Sequence, residues 1–341
     1  MSDAVHNPHA PFSPWPHRVA VLLVCVVFPL IWLGGLVTSS DAGMAVPDWP
    51  GTYGYNLFLY PWQTWLAAPY DIFIEHGHRL LGSAAGMISI ALVAVVWFCD
   101  RRPAARALAA AVLGAVVLQG LLGGLRVMNN SLQIARLHGI VGPAFFALCV
   151  SMAVVTSKLW RDGRTQKPQV GAGRLHRLAF ITAGLVFLQL VLGANLRHTP
   201  HNVEPGSLRI FVFFHLLVAA ALLVHALLLA LRVLRVHGGL RPLVRPTLGL
   251  AMCLVAQIGL GCAAWVVNYS WPVWAQSMGL PAGYVVQAGS LSQSLTVTAH
   301  QAMGSLILAL SVVVSLRSWR LVPAAQQDAA EDVARFAGVL A

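Results

Sequence analysis

Charged residues are scarce in this chain of 341 residues. They make up 10% of the sequence, whereas a soluble domain carries roughly 25%. Acidic residues are the scarcest, with 11 Asp and Glu against 22 Lys and Arg. Hydrophobic residues reach 58% of the chain. This deficit of charge argues against a soluble domain and indicates a protein of the lipid bilayer.

Long polar stretches are also missing, and no segment between the apolar runs is long enough for a soluble domain. A helix needs about 20 apolar residues to cross a bilayer. We predict an all-α integral membrane fold whose eight transmembrane helices lie at 19–39, 72–99, 106–127, 134–157, 177–197, 208–231, 246–268 and 293–316. No small-residue cleavage site follows the first run, so we expect it to be retained.

The net charge of +11 is compatible with nucleic-acid binding, but the distribution of the charge indicates a different role. With a cytoplasmic N-terminus, 17 of the 22 basic residues lie on the inner side. The outer side keeps Arg79, Arg126, Arg136, Arg197 and Arg209. Basic residues favour the cytoplasmic side of membrane proteins. We therefore predict a multi-pass protein of the cell (inner or plasma) membrane with both termini cytoplasmic and no nucleic-acid partner.

Cysteine is absent from the predicted outer loops. All five cysteines fall inside predicted spans, at Cys25, Cys99, Cys149, Cys253 and Cys262. A disulfide framework is therefore not expected. We interpret these thiols as small, buried apolar side chains.

A repeated motif divides the chain into two similar halves. Gln119, Gln189 and Gln257 are each followed four residues later by glycine and then by a small residue. One copy is typical of helix packing in lipid, but three copies at equivalent depth favour a parallel tandem repeat. We predict two tandem pseudo-symmetric four-helix bundles at 19–157 and 177–316, an inner linker at 158–176, and cytoplasmic tails at 1–18 and 317–341.

Two predicted outer loops, 40–71 and 269–292, are long and rich in Trp and Tyr. Aromatic residues concentrate at membrane interfaces, so one interpretation is an aromatic belt. The other interpretation is a lid over each half that shields a site from water. The sequence leaves both interpretations open.

Four of the 13 histidines form a pattern within the predicted spans. These are His78, His138, His215 and His300, each near the outer end of its span and one pair in each half. An ionisable residue inside a membrane is costly and is a functional candidate by default. A single one is explained equally well by a hydrogen bond between helices, but four at one depth indicate a shared function.

The remaining histidines carry less information. Those in the tails and loops are interpreted as solvated, namely His6, His9, His17, His176, His198, His201 and His237. His225 lies deeper in the sixth span and is interpreted as a packed residue.

Two histidines in each half restrict the metal group that they can bind. Zinc takes four protein ligands, or three and a water. Heme iron needs only axial ligands, of which imidazole is a common one, and four-helix bundles hold cofactors between facing helices. We therefore predict one heme for each pair. A proton relay would need acidic residues along the spans, and the sequence lacks them.

One acidic residue distinguishes the halves. Glu75 lies three residues before His78 and shares its helix face, whereas the residues before His215 are Phe211-Val212-Phe213-Phe214. We expect chemistry in the first half and electron storage or transfer in the second. The alternative is that Glu75 only forms an ion pair with Arg79, four residues on.

Together these motifs resemble the heme A synthase family of cytochrome oxidase assembly, over about residues 20–316. The motifs that carry the resemblance are Gly34-Gly35-Leu36-Val37-Thr38, Pro47-Asp48-Trp49-Pro50, Glu75-His76-Gly77-His78-Arg79-Leu80-Leu81-Gly82, Leu118-Gln119-Gly120-Leu121-Leu122-Gly123-Gly124, Leu137-His138-Gly139, Phe214-His215-Leu216 and Ala299-His300-Gln301. Many bacterial members carry a cysteine pair in an outer loop, and this chain does not.

The resemblance implies a membrane oxidoreductase that converts heme O to heme A by oxidising a porphyrin methyl group to formyl, with oxygen from water. It implies that Glu75 is catalytic, that His78 and His138 ligate the substrate heme, and that His215 and His300 ligate a resident heme b. Heme O synthase and a quinone or other electron acceptor are candidate partners, and the chain is a candidate homo-oligomer. The alternative function is a non-enzymatic diheme b-type electron carrier.

Overall fold

The chain folds into helices. The computed structural model describes residues 13–162, 169–200, 203–280 and 289–325. Within these ranges there are eleven helices and no β-strand. The helices are α1 Trp15–Ser39, α2 Trp62–Leu66, α3 Tyr70–Cys99, α4 Pro103–Asn129, α5 Leu132–Thr156, α6 Lys158–Asp162, α7 Ala172–Arg197, α8 Pro205–His237, α9 Arg241–Tyr269, α10 Val273–Gln276 and α11 Leu291–Leu321.

Eight helices of the described ranges are long and apolar enough to cross a membrane, namely α1, α3, α4, α5, α7, α8, α9 and α11. The predicted all-α fold with eight spans is confirmed. Most of these helices extend beyond the predicted spans, and α8 continues from residue 231 to His237. An apolar run marks the part of a helix that suits lipid, whereas the helix itself continues into the polar interface, where Arg232 and Arg235 are tolerated.

The long helices pack in two sets. In the first set, α1 and α4 each contact α3 and α5, and in the second set, α7 and α9 each contact α8 and α11. A cluster of buried apolar side chains lies mainly within each set. Helices α1, α5, α7 and α11 also make the contacts between the sets. These are the contacts expected of two four-helix bundles side by side, and the repeat itself stays a prediction.

The prediction for the cysteines is confirmed only in part. All five thiols are free, and Cys149 is buried, but Cys25 and Cys262 are exposed. The interpretation as buried residues is wrong for these two, because their helices turn them away from the other helices.

Residues 1–12, 163–168, 281–288 and 326–341 lie outside the described ranges. Parts of both predicted tails, of the predicted linker and of the second predicted outer loop therefore lie outside the described residues.

Candidate functional site: two facing imidazole pairs

The four histidines singled out in the sequence form two facing pairs. The ring centroids of His78 and His138 are 6.4 Å apart, and those of His215 and His300 are 6.5 Å apart. In the described part of the chain, no three His, Cys, Asp or Glu side chains cluster to hold a metal ion. Each pair therefore offers two ligands and no more from these residue types.

One nitrogen of each imidazole ring, Nδ1, has no hydrogen-bond partner. The Nδ1 atoms of His78, His138, His215 and His300 are buried and form no hydrogen bond. Buried polar atoms normally have a partner. Rings with unpaired buried nitrogens are suited to binding a group that is not part of the chain.

Each imidazole packs against a glycine of a neighbouring helix. A Cβ atom at the glycine would lie 2.8 Å from the ring atom Cε1 for Gly34 and His78, 3.4 Å for Gly123 and His138, 3.4 Å for Gly193 and His215, and 3.1 Å for Gly261 and His300. Carbon atoms in contact are about 3.5–4.0 Å apart. A side chain in place of Gly34 would therefore displace the His78 ring.

The repeated glutamines lie one turn before three of these glycines and contact the histidine-bearing helices. Gln119 Nε2 donates to the backbone oxygen of His138 at 3.2 Å, and Gln189 Nε2 donates to that of His215 at 3.0 Å. Gln257 Nε2 lies 3.5 Å from the ring nitrogen Nε2 of His300. The motif that indicates a tandem repeat in the sequence therefore also contacts the histidine-bearing helices.

Two adjacent glycines of α1 face different halves of the protein. Gly34 contacts His78, whereas a Cβ atom at Gly35 would lie 2.7 Å from Thr298 Cγ2 and 3.2 Å from Gln301 Oε1 of α11. His300 lies between these two residues in sequence. Helix α1 is therefore a wall of the first pair and also packs next to the second pair.

The loop between α1 and α3, which is predicted to lie on the outer side, is anchored by Arg79. Its Nη1 donates to the backbone oxygens of Asp48 at 2.6 Å and Gly51 at 2.8 Å. Its Nη2 donates to the backbone oxygen of Val46 at 2.7 Å. One guanidinium on the helix of His78 therefore holds three carbonyl groups of the loop.

Glu75 is buried in the same anchor. Its Oε1 accepts a hydrogen bond from Arg79 Nη2 at 2.7 Å, and its Oε2 accepts one from the backbone N–H of Val46 at 2.9 Å. The side chains of Arg79 and Glu75 are 9% and 4% exposed. The ion pair considered from the sequence is present, together with a loop contact that no sequence pattern indicated. Glu75 nevertheless lies within one helical turn of His78.

His76 and Trp49 extend the contact between loop and helices. The ring nitrogen Nδ1 of His76 forms a hydrogen bond of 2.9 Å with Thr52 Oγ1, and the ring packs against Tyr60 at 5.0 Å between centroids. The indole of Trp49 packs against Gly124 of α4. The loop therefore contacts both α3 and α4 on the side of the first pair, which supports the lid interpretation for this half.

Asp48 shapes the turn that carries these carbonyls. Its Oδ1 accepts from the backbone N–H of Tyr53 at 2.8 Å and its Oδ2 from that of Gly54 at 2.9 Å. Burial alone raises the pKa of Asp48, but the two backbone N–H groups and the charge of Arg79 lower the pKa below its usual value. The carboxylate is therefore ionised at neutral pH and keeps both hydrogen bonds.

His198 is buried at the junction of the two halves. It is 7% exposed, and its Nδ1 donates to the backbone oxygen of Ala194 at 3.0 Å. The backbone oxygen of His198 accepts a hydrogen bond from Arg136 Nη2 at 2.9 Å. Burial lowers the pKa of His198 to about 4, and the charges of Arg197, Arg126 and Arg136 act in the same direction. The interpretation of His198 as a solvated residue is therefore wrong.

Three more histidines differ from the same interpretation. The rings of His17 and His176 bind the backbone oxygens of Ala153 and Val322, each at 2.9 Å, and His237 is 6% exposed. His17 and His176 are half-buried, and their contacts join residues far apart in sequence, which no local pattern reveals. His225 is half-buried, as predicted for a packed residue, but its Nδ1 is also buried without a hydrogen bond, and no second imidazole faces it among the ring contacts of the described residues. His6, His9 and His201 lie outside the described residues.

Comparison with known proteins identifies the family of this chain. A family model described as cytochrome oxidase assembly protein matches residues 17–204, which is more than half of the chain. The chain belongs to the heme A synthase family. The matched range contains the first imidazole pair, whereas His215 and His300 lie beyond it.

Individual heme A synthases are also similar to the chain. The protein of Rhodospirillum centenum is 30% identical over 73% of this chain and 80% of its own length. The protein of Hyphomonas neptunium is 27% identical over 57% of this chain and 62% of its own length. The protein of Symbiobacterium thermophilum is 32% identical over 53% and 57%, respectively. The matches therefore span less than two thirds of the last two relatives.

Proposed function

We propose that this protein is a membrane oxidoreductase that converts heme O to heme A by oxidising a porphyrin methyl group to formyl. The observation that carries the proposal is the presence of two facing imidazole pairs in a chain of the heme A synthase family. With oxygen taken from water, this oxidation releases electrons and protons in equal number. The site then needs an electron acceptor and a group that receives protons.

The imidazole pairs fit heme iron. A metal–imidazole bond is about 2 Å long and the ring centre lies about 1 Å beyond the nitrogen, so two opposite ligands place their ring centres about 6 Å apart. The separations of 6.4 and 6.5 Å agree with this arrangement. We assign His78 and His138 to the substrate heme and His215 and His300 to a resident heme b, which supplies one-electron redox chemistry when bound.

The surroundings of the two pairs support this division of roles. Glu75 lies one turn from His78, beneath an outer loop, whereas the corresponding turn of α8 carries apolar residues before His215. We propose that Glu75 receives a proton from the reacting group or stabilises charge that develops on it. Heme O synthase and a quinone or other electron acceptor are the proposed partners, in the cell membrane with both termini cytoplasmic.

Glu75→Gln tests this proposal. The amide keeps the shape of the side chain and an oxygen for the Val46 N–H, but it removes the basic group. We expect the variant to keep the resident heme, to bind substrate heme and to make heme A at least about a hundredfold more slowly, the usual range for loss of a general base. Extraction of the hemes from membranes, followed by mass analysis, measures the product.

Arg79→Gln is the matched control for the structural role. It breaks three bonds to the loop and the bond to Glu75, whereas Glu75→Gln keeps the bond to Val46 and removes the bond to Arg79 alone. If Glu75 only held the loop, Arg79→Gln would lose more activity than Glu75→Gln. The opposite order supports a chemical role for the carboxylate, and wild-type heme A yield from Glu75→Gln would refute it.

The similarity of the two pairs favours a second candidate, the non-enzymatic diheme electron carrier. Both pairs have nearly the same separation, and each of their rings packs on a glycine. A carrier binds heme at both sites without altering it. Membranes that contain the protein would be supplied with heme O and the hemes extracted. Recovery of unaltered heme O without heme A would favour this function over the enzyme.

A further inference from the structure

Arg126 is a half-buried cation without a partner in the part of the chain that the structure describes. Its guanidinium forms no ion pair, and no hydrogen bond or ring contact involves it there. Arg79, Arg136 and Arg197, which also lie at the predicted outer side, all donate to backbone oxygens. An unpaired charge in a membrane span is costly, which makes it a functional candidate.

The guanidinium of Arg126 contacts the loop between α1 and α3 near the first imidazole pair. Arg126 follows Gly123, which contacts the His138 ring, by three residues on α4. Its side chain packs against the buried Gly43 of the loop, where a larger residue would collide with it. Its charge acts on both His78 and His138.

No carboxylate of the described residues neutralises this charge. Glu75 and Asp41 are the acidic residues close enough to act on it. The two oxygens of Glu75 are already used by Arg79 and Val46, and Asp41 is exposed and forms no ion pair. The site therefore suits an anion brought by the ligand. Arginine binds carboxylates with two parallel hydrogen bonds.

The second imidazole pair has no arginine whose guanidinium is free in the same way. The charge of Arg197 acts on His300, but this guanidinium already donates to Gly35 and Ser39. Arg126 lies seven residues after Gln119, and the matching positions after Gln189 and Gln257 are Leu196 and Ala264. Arg126 is thus specific to the half assigned to the substrate. A porphyrin carries its two propionate carboxylates at one edge, so a single cation on one side of the iron ligands fixes which edge faces that side.

We propose that Arg126 binds a propionate of the porphyrin held between His78 and His138. This contact turns the acidic edge of the substrate toward the outer loop and the opposite, apolar edge toward the membrane interior. The inference rests on the proposed heme site of the first half.

The test compares two probes, iron protoporphyrin IX and its dimethyl ester, in optical titrations of the purified full-length protein with its resident heme. We expect the wild type to bind the diacid about tenfold or more tightly than the ester, since hydrogen bonds to charged groups are the stronger kind. Arg126→Gln should bind both probes equally, and Arg126→Lys should keep part of the preference. The ratio within each variant cancels differences in probe solubility.

Arg209→Gln serves as control, because Arg209 is an exposed arginine of α8 that is predicted to lie on the same side of the membrane as Arg126. It should keep the wild-type ratio. The resident heme spectrum verifies folding in every variant. An unchanged preference for the diacid in Arg126→Gln overturns the proposal. If His138→Ala binds added heme with the spectrum and affinity of the wild type, the imidazole site itself is wrong, and the role of Arg126 fails with it.

Discussion

The close approach of Gly34 to the His78 ring allows a quantitative prediction for the first pair. A Cβ atom at Gly34 would lie 2.8 Å from Cε1 of His78, whereas one at Gly123 would lie 3.4 Å from Cε1 of His138. To reach a carbon contact of about 3.5 Å, the His78 ring must move by about 0.7 Å and the His138 ring by about 0.1 Å. The same substitution to alanine therefore perturbs one ligand and spares the other.

The predicted displacement exceeds what a metal bond tolerates. Ligand distances in metal sites hold within about 0.2 Å, so Gly34→Ala should weaken the binding of the heme that His78 would hold. Overpacking costs about 1–3 kcal/mol, which corresponds to roughly 5-fold to 150-fold weaker binding of substrate heme. Alanine favours a helix more than glycine does, so loss of the helix would not explain the effect.

Optical titration of the purified protein with added heme measures this effect. Gly34→Ala should lose the low-spin spectrum of two imidazole ligands, whereas Gly123→Ala should keep it. The resident heme should be unchanged in both variants. Wild-type affinity and spectrum in Gly34→Ala would refute the reasoning, because the contact would then not hold the ring in place.

Three further predictions concern other parts of the chain. His215→Ala or His300→Ala should each remove or strongly alter the resident heme b spectrum of the purified protein, and an unchanged spectrum in the double variant would exclude the assignment. A reporter inserted in the 158–176 linker should give a cytoplasmic signal, and an external signal would reverse the predicted orientation. The pKa of His198 is lowered to about 4 from 6.5, so the unfolded chain takes up a proton more readily and stability falls as the pH drops through this interval. His198→Gln should therefore lose less melting temperature between pH 7 and pH 5 than the wild type does, and an equal loss would show that protonation of His198 is not the cause.

The eight spans and the pairing of histidines were predictable from the sequence, because both depend on simple local patterns. Apolar runs of sufficient length mark the membrane helices, and a histidine within such a run stands out against its neighbours. The eight long helices of the described residues match the predicted runs apart from their ends.

The contacts around the site were less predictable, because they join residues far apart in sequence. Arg79 reaches three loop carbonyls some thirty positions before it, and backbone carbonyls carry no sequence signature. His198 is buried by packing between halves, although its place beside a loop suggested a solvated residue. The tripled Gln–Gly motif was visible, but its contacts with the imidazole-bearing helices require the packing of neighbouring helices.

The adjacent glycines of α1 join the two halves of the protein, because Gly34 packs against the first half and Gly35 against the second. A chain cut at the 158–176 linker would leave the second half without Gly35, whose backbone oxygen accepts from Arg197 at 2.7 Å and whose surface fits against Thr298. The halves are therefore not interchangeable modules that can be expressed apart and recombined at will. A side chain at Gly34 would meet the His78 ring and one at Gly35 would meet Thr298 of α11, so two neighbouring positions of one helix act on two different sites.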